Sequence, residues 1–391
     1  MPENNQFRHQ NYPTTPNLTP AFHTLDVNDR TDFSRLHTEL AVRDVILVHG
    51  TFMGDDSFAV AETLTAIGKS VPPLKGPLQS LSNQLRQHTK PLTEKVTQDV
   101  GNYTAEYKDA FQKLVGSDPT VRLLTPTWSG QNHHLARADL AVRLLCDLDE
   151  LGLSSSERVL LWGHSHAGNG FALLSNLLAN DHDYVEQFFS AVDSAPNEFW
   201  PRARDILLSS PSPHPLAESI LIAAFGTPVR YGWDQAGYRK LVHILHHRNF
   251  SADDPLVTHR MFPPHTLSET IHAEFGDWVQ SFGIAGTDVV PPTSRSENGK
   301  LTELVEAGLQ EPQHGLDTKF IVPKRIRDAC ARWKTGTRCH TDGQNLLVRY
   351  NECGRKTHLG NPIEEALLGH GVATTTDWLP AHLSLVIGSL S

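Results

Sequence analysis

The sequence predicts an α/β protein, a mostly parallel sheet covered by helices on both faces and carrying a helical insertion. Two observations support this. The runs DVILV from Asp44, RVLLW from Arg158 and ILIAAF from Ile220 are apolar without alternation, as strands buried on both faces are. Between and after them, apolar residues recur every three or four positions, the spacing of helices that cover a sheet. Strands and helices taken in turn argue for parallel pairing.

The elements follow in order. The start, MPENNQFRHQNYPTTPNLTP, is polar and proline-rich, and residues 1–38 are expected to form a disordered or loosely attached arm. It lacks the basic and apolar regions of a secretory signal. The first strand is expected at Val45 to Val48. Residues 62–118 then interrupt the rhythm. Leu92, Val96, Val100, Tyr103, Tyr107, Phe111 and Leu114 form one helical stripe, and Leu78, Leu81 and Leu85 mark a shorter helix before Pro91. This insertion reads either as a cover packed on the sheet or as a lid over a site.

TVRLLTPTW from Thr120 is the second expected strand. The following helix carries Leu140, Leu144, Leu145 and Leu148 on one stripe and stops at Gly152. RVLLW is the third strand, and the helix after it carries Phe171, Leu174, Leu177 and Leu178. SILIAAFGTPVRYGW, KLVHILHH and NLLVRYN supply further strands. A last helix is expected from about Thr376.

Composition excludes several function classes. The chain has 391 residues, 39% hydrophobic and 20% charged, which suits a globular protein. Its net charge of -10 gives no electrostatic support to nucleic-acid binding. No apolar run is long enough to span a bilayer. Cys330, Cys339 and Cys353 lie close together without CxxC spacing and read as reduced thiols, so a cytoplasmic location is expected. His243, His246 and His247 fall on a strand that turns His243 and His247 to one face and His246 to the other. No HExxH spacing accompanies them, and no metal site is expected.

The chemistry concentrates in LLWGHSHAGNGFALLSNLL. Ser165 stands on an abrupt turn between a strand and a helix, with the small residues Gly163, Ala167 and Gly168 around it. In an open parallel sheet, reactive groups collect beyond the carboxyl ends of the strands. HGTF, His49 to Phe52, reaches the same edge after the first strand. A serine hydroxyl becomes a competent nucleophile only with a base, a carboxylate to orient that base, and N–H groups to hold the oxyanion.

GHSHAG resembles the nucleophile elbow of the α/β-hydrolases, and VILVHGTF resembles the oxyanion loop of their lipases and esterases. The resemblance covers about residues 42 to 391 and departs from G-x-S-x-G at Ala167. It implies an α/β-hydrolase fold over residues 39–391, with Ser165 as nucleophile. It also implies oxyanion N–H groups from His166 and Thr51, with Phe52 as the near alternative to Thr51. In the family's chain order the base follows the last strand, where His358, His370 and His382 stand. His370, between glycines in LGHGVATT, is the expected base. His164 and His166 are tied to the turn beside the serine. Asp288 in GIAGTDVVPP is the expected acid, ahead of Asp254 or Asp253 in FSADDPLV; Asp193 and Asp234 are weaker candidates.

The resemblance implies hydrolysis of a small-molecule or lipid ester through an acyl-enzyme, without metal or organic cofactor. The alternatives are another acyl transfer, amide or thioester hydrolysis on the same residues, or a non-catalytic binding protein with a hydrolase fold. Trp128, Phe225, Tyr231 and Trp233 either line an apolar acyl pocket or pack the core.

Overall fold

A computed structural model describes residues 18–50, 103–116, 121–179, 181–193, 195–247, 277, 280, 290, 294–305, 339–351 and 370–391. Among them, seven strands form one open sheet. They are β1 (Ala21–Leu25), β2 (Val42–Val48), β3 (Arg122–Leu124), β4 (Arg158–His164), β5 (Ile220–Phe225), β6 (Lys240–His246) and β7 (Gln344–Tyr350). The order across the sheet is β1-β7-β6-β5-β4-β2-β3, and every neighbouring pair is parallel.

Alternation along β4 sorts its side chains between two cores. Val159 and Leu161 enter one core, and Leu160 and Trp162 enter the other. The first is built with α3 (His134–Glu150), α4 (Ala167–Ala179), α5 (His182–Ser190), α6 (Phe199–Leu208) and α7 (Arg295–Val305). The second is built with α1 (Arg35–Thr38), α2 (Ala105–Val115) and α8 (Leu379–Leu390). Both faces of the sheet are therefore covered, which explains why the central strands read as unbroken apolar runs.

Two elements refine the sequence reading. Part of the expected N-terminal arm is structured: β1 pairs in register with β7, from Ala21 with Leu346 to Leu25 with Tyr350. Its apolar anchors are few, with Leu25 buried and Phe22 partly buried against Leu245 and Leu347. A short edge strand of this kind carries little local signal. Within the helical insertion, α2 is a cover. Thr104 caps it by accepting the Tyr107 N–H, and Tyr107 and Phe111 are fully buried. The Phe111 ring meets Trp162 of β4 edge-on at 5.4 Å. The rest of the insertion, including Leu78, Leu92 and Val96, lies outside the described residues. Among the described residues, no helix is long and apolar enough to cross a membrane.

Candidate active site

β4 ends at His164 and α4 begins at Ala167, so Ser165 lies at the carboxyl edge of the sheet between two central strands. Its backbone is left-handed, with φ at 57°. For a residue with a Cβ this conformation costs about 1–2 kcal/mol. Three constraints hold it there. The Ser165 N–H donates to the Phe225 carbonyl at 2.7 Å, the Ser165 carbonyl accepts from the Gly168 N–H at 3.1 Å, and α4 is wholly buried behind it. Backbone strain of this kind persists only where the surrounding structure over-determines it, as these three constraints do here.

The loop after β2 passes over the same point. A Cβ on Gly50 would lie 2.8 Å from the Ser165 Cβ, so only glycine lets the HG loop approach this closely. Trp128, beyond β3, supports that loop: its indole N–H donates to the His49 carbonyl at 3.2 Å, and its ring stacks on His49 at 5.5 Å. Burial holds the His49 imidazole below its ordinary pKa, opposed by the hydrogen bond of Nδ1 with the Gly50 carbonyl. Thr51 and Phe52 lie outside the described residues. His166 is buried beside the serine, and its Nδ1 pairs with the Asn169 amide at 3.0 Å.

His370 stands just before a short 3₁₀ turn (Gly371–Thr374) that leads towards α8. It is buried, and its Nδ1 lies 2.6 Å from Oδ2 of Asp277. The short separation marks a charge-assisted hydrogen bond in which the imidazole N–H donates to the carboxylate. The other carboxylate oxygen, Oδ1, accepts the Gln280 backbone N–H at 2.7 Å. Gln280 in turn donates its side-chain amide to the Thr227 carbonyl at 3.0 Å. The Asp277 N–H donates to the carbonyl of His246 at the end of β6. Gly226 makes the arrangement possible. It has φ of 57°, and a Cβ there would sit 2.7 Å from Asp277 Oδ2 and 3.2 Å from two atoms of the His370 ring.

His370 is thus brought to the serine's edge of the sheet, and its carboxylate partner is Asp277. The sequence reading expects Asp288, with Asp254 or Asp253 second; all three lie outside the described residues, and the Nδ1 position on His370 is taken by Asp277. Asp277 lacks the signal that singled out Asp288, an apolar run directly before it, because a long segment separates it from β6. One local signal was present: in FGDWVQ an aspartate precedes a glutamine by three positions, the pattern of a residue that caps a turn through its own carboxylate.

The other candidates have different occupations. His358 lies outside the described residues. His382 is buried in α8, where Nε2 meets the Tyr350 hydroxyl at 2.8 Å. Asp193 pairs at the surface with Lys300, and Asp234 accepts the Ala236 N–H in a 3₁₀ turn. Phe225 packs on Trp162, Tyr231 bonds His134 and Arg137, and Trp233 donates to His340, so these aromatic residues serve the core. His243 stacks on His340 at 3.8 Å, while His246 meets Tyr350 edge-on. Among the described residues, no group of three or more His, Cys, Asp or Glu is placed to hold a metal ion.

The fold and this edge define an α/β protein with an open parallel sheet and a buried Ser, His and Asp at one end of it. Comparison with protein-family models, with curated proteins and with solved structures finds no match for the chain.

Proposed function

We propose that the chain is a serine-dependent hydrolase of carboxylic esters. The observation that carries the reading is the pairing of two features at one sheet edge. One is a serine held at positive φ between β4 and α4; the other is a buried histidine whose Nδ1 is committed to Asp277 at 2.6 Å. Commitment of Nδ1 leaves Nε2 as the ring position for proton transfer, which is the division of labour a catalytic triad requires.

In this reading Ser165 Oγ attacks the ester carbonyl as His370 Nε2 takes its proton. Asp277 keeps the proton on Nδ1 and stabilises the imidazolium. The backbone N–H groups of His166 and Thr51 receive the oxyanion, and the N-terminus of α4 adds a favourable dipole. His370 then returns the proton to the leaving alcohol, and water repeats the sequence on the acyl-enzyme. The substrate class, a small-molecule or lipid ester, rests on the resemblance of GHSHAG and VILVHGTF to lipases and esterases.

The test is labelling with a fluorophosphonate together with turnover of a series of p-nitrophenyl esters. Wild-type protein should label at Ser165 and cleave at least part of the series. Ser165→Ala should lose the label and on the order of a million-fold in turnover while keeping its melting temperature. An unlabelled, inert wild-type protein would overturn the reading in favour of a binding protein.

A further inference from the structure

The residue before the serine has a position that the proposed mechanism does not use. His164 is the last residue of β4, and strand alternation puts it on the same face as Leu160 and Trp162, towards α8. On that face it meets the loop of His370. Its Nε2 lies 3.1 Å from the His370 carbonyl oxygen, and the two imidazole rings are 4.2 Å apart between centroids. A carbonyl can only accept, so His164 carries a proton on Nε2 and donates it. The ring is enclosed: it is buried, and a Cβ on Gly50 would fall 3.2 Å from its Nδ1. His164 is thereby fixed by the strand and by the HG loop, and it holds the backbone of His370 from a point one residue away from Ser165.

From this we infer that His164 is a positioning residue, which ties the His370 loop to the end of β4 and so sets the imidazole against the serine. The inference rests on the catalytic reading for its effect on turnover, but not for its effect on the His370–Asp277 hydrogen bond. Asp277 restrains the ring through Nδ1, and Gly226 clears the space for it. The His164 N–H acts on the loop backbone, at the His370 carbonyl. Displacement by an ångström is enough to lower turnover on the order of a hundredfold.

Two substitutions separate positioning from packing. His164→Phe keeps the ring and its contact with His370 but removes the donor. His164→Gln places an amide N–H near the position of Nε2 and keeps the donor. Three readouts are compared: ester turnover, fluorophosphonate labelling of Ser165, and the far-downfield proton resonance of the His370–Asp277 hydrogen bond, assigned by its loss in Asp277→Asn. In the Phe variant kcat should fall on the order of a hundredfold with KM nearly unchanged, and the downfield resonance should shift or broaden. The Gln variant should recover most of both. An unchanged resonance in the Phe variant, or a Gln variant as impaired as the Phe variant at equal melting temperature, would overturn the inference. Failure of the catalytic reading appears separately, as a wild-type protein that takes no label and cleaves no ester. The resonance then decides the positioning role by itself.

Discussion

At the scale of single residues, the proposed mechanism depends on which carboxylate orients His370. Asp277→Asn should lower ester turnover roughly ten-thousandfold, because the amide no longer fixes the proton on Nδ1 and the wrong imidazole tautomer results. Asp288→Asn and Asp254→Asn should each stay close to wild type. Turnover measured on the three variants checks this, and a severe loss at Asp288 with a mild one at Asp277 would reverse the assignment. The places of Ser165 and His370 in the fold were legible in the sequence because their signals are local: a strand, a tight turn and a helix for one, flanking glycines after the last strand for the other. The place of Asp277 was not, since it is set by contacts with His370, 93 positions away, and with the end of β6. Gly226 belongs to the same class. Its importance lies in what occupies the space where a side chain would be.

At the scale of elements, the two roles open for the helical insertion make different forecasts. α2 lies on β4 through Tyr107 and Phe111, both fully buried, so the described part of the insertion belongs to the core. Replacing both residues with serine should destabilise the protein by several kcal/mol, as large-to-small core changes do, and leave the preference among acyl chain lengths unaltered. Thermal melting and the ester series on the double variant check the two halves of this expectation. Unchanged melting with altered chain-length preference would make α2 a lid. Helical periodicity announced α2 but carried its stripe back through Tyr103, which lies ahead of the Thr104 cap and outside the helix; nor did it say what α2 covers, because amphipathicity gives a buried face and no address for it. β1 was hidden for the opposite reason: as a five-residue edge strand it has too few buried side chains to form a pattern.

At the scale of the whole molecule, buried histidines set the response to acid. His340 is held down to about 4 by burial, with its Nε2 N–H donating to the Thr227 carbonyl and its Nδ1 accepting from Trp233. His382 is held down to about 3 by burial, and His243, stacked on His340, is lowered well below its ordinary value by burial and by that neighbour. All three are neutral in the folded state at pH 6, whereas in the unfolded chain they begin to protonate near 6.5. The unfolded state therefore binds more protons as the pH falls. The stability these groups contribute is complete above about 6.5 and is lost progressively below it, by at most about 1.4 kcal/mol per pH unit for each group. The urea midpoint should drop between pH 7 and pH 5, and His382→Phe should flatten the slope by about one proton. A midpoint flat across that range would show that these imidazoles titrate freely in the fold.

The pairing of β1 with β7 has a consequence for how the chain is made. Asp26 and Asn351, which join the ends of these strands, are 325 positions apart. On the ribosome the first strand emerges long before the strand it must lie beside, and His370 emerges after both. A nascent chain can complete the β2–β3 pair and the neighbouring β4 early, and with them the turn that carries Ser165. Until the last stretch has been translated, His370 is not yet beside that turn, and the edge of β6 stands open to other polypeptides. Completion of the proposed site and protection of the sheet edge would thus arrive together, near the end of translation, leaving a long interval in which a chaperone has something to hold.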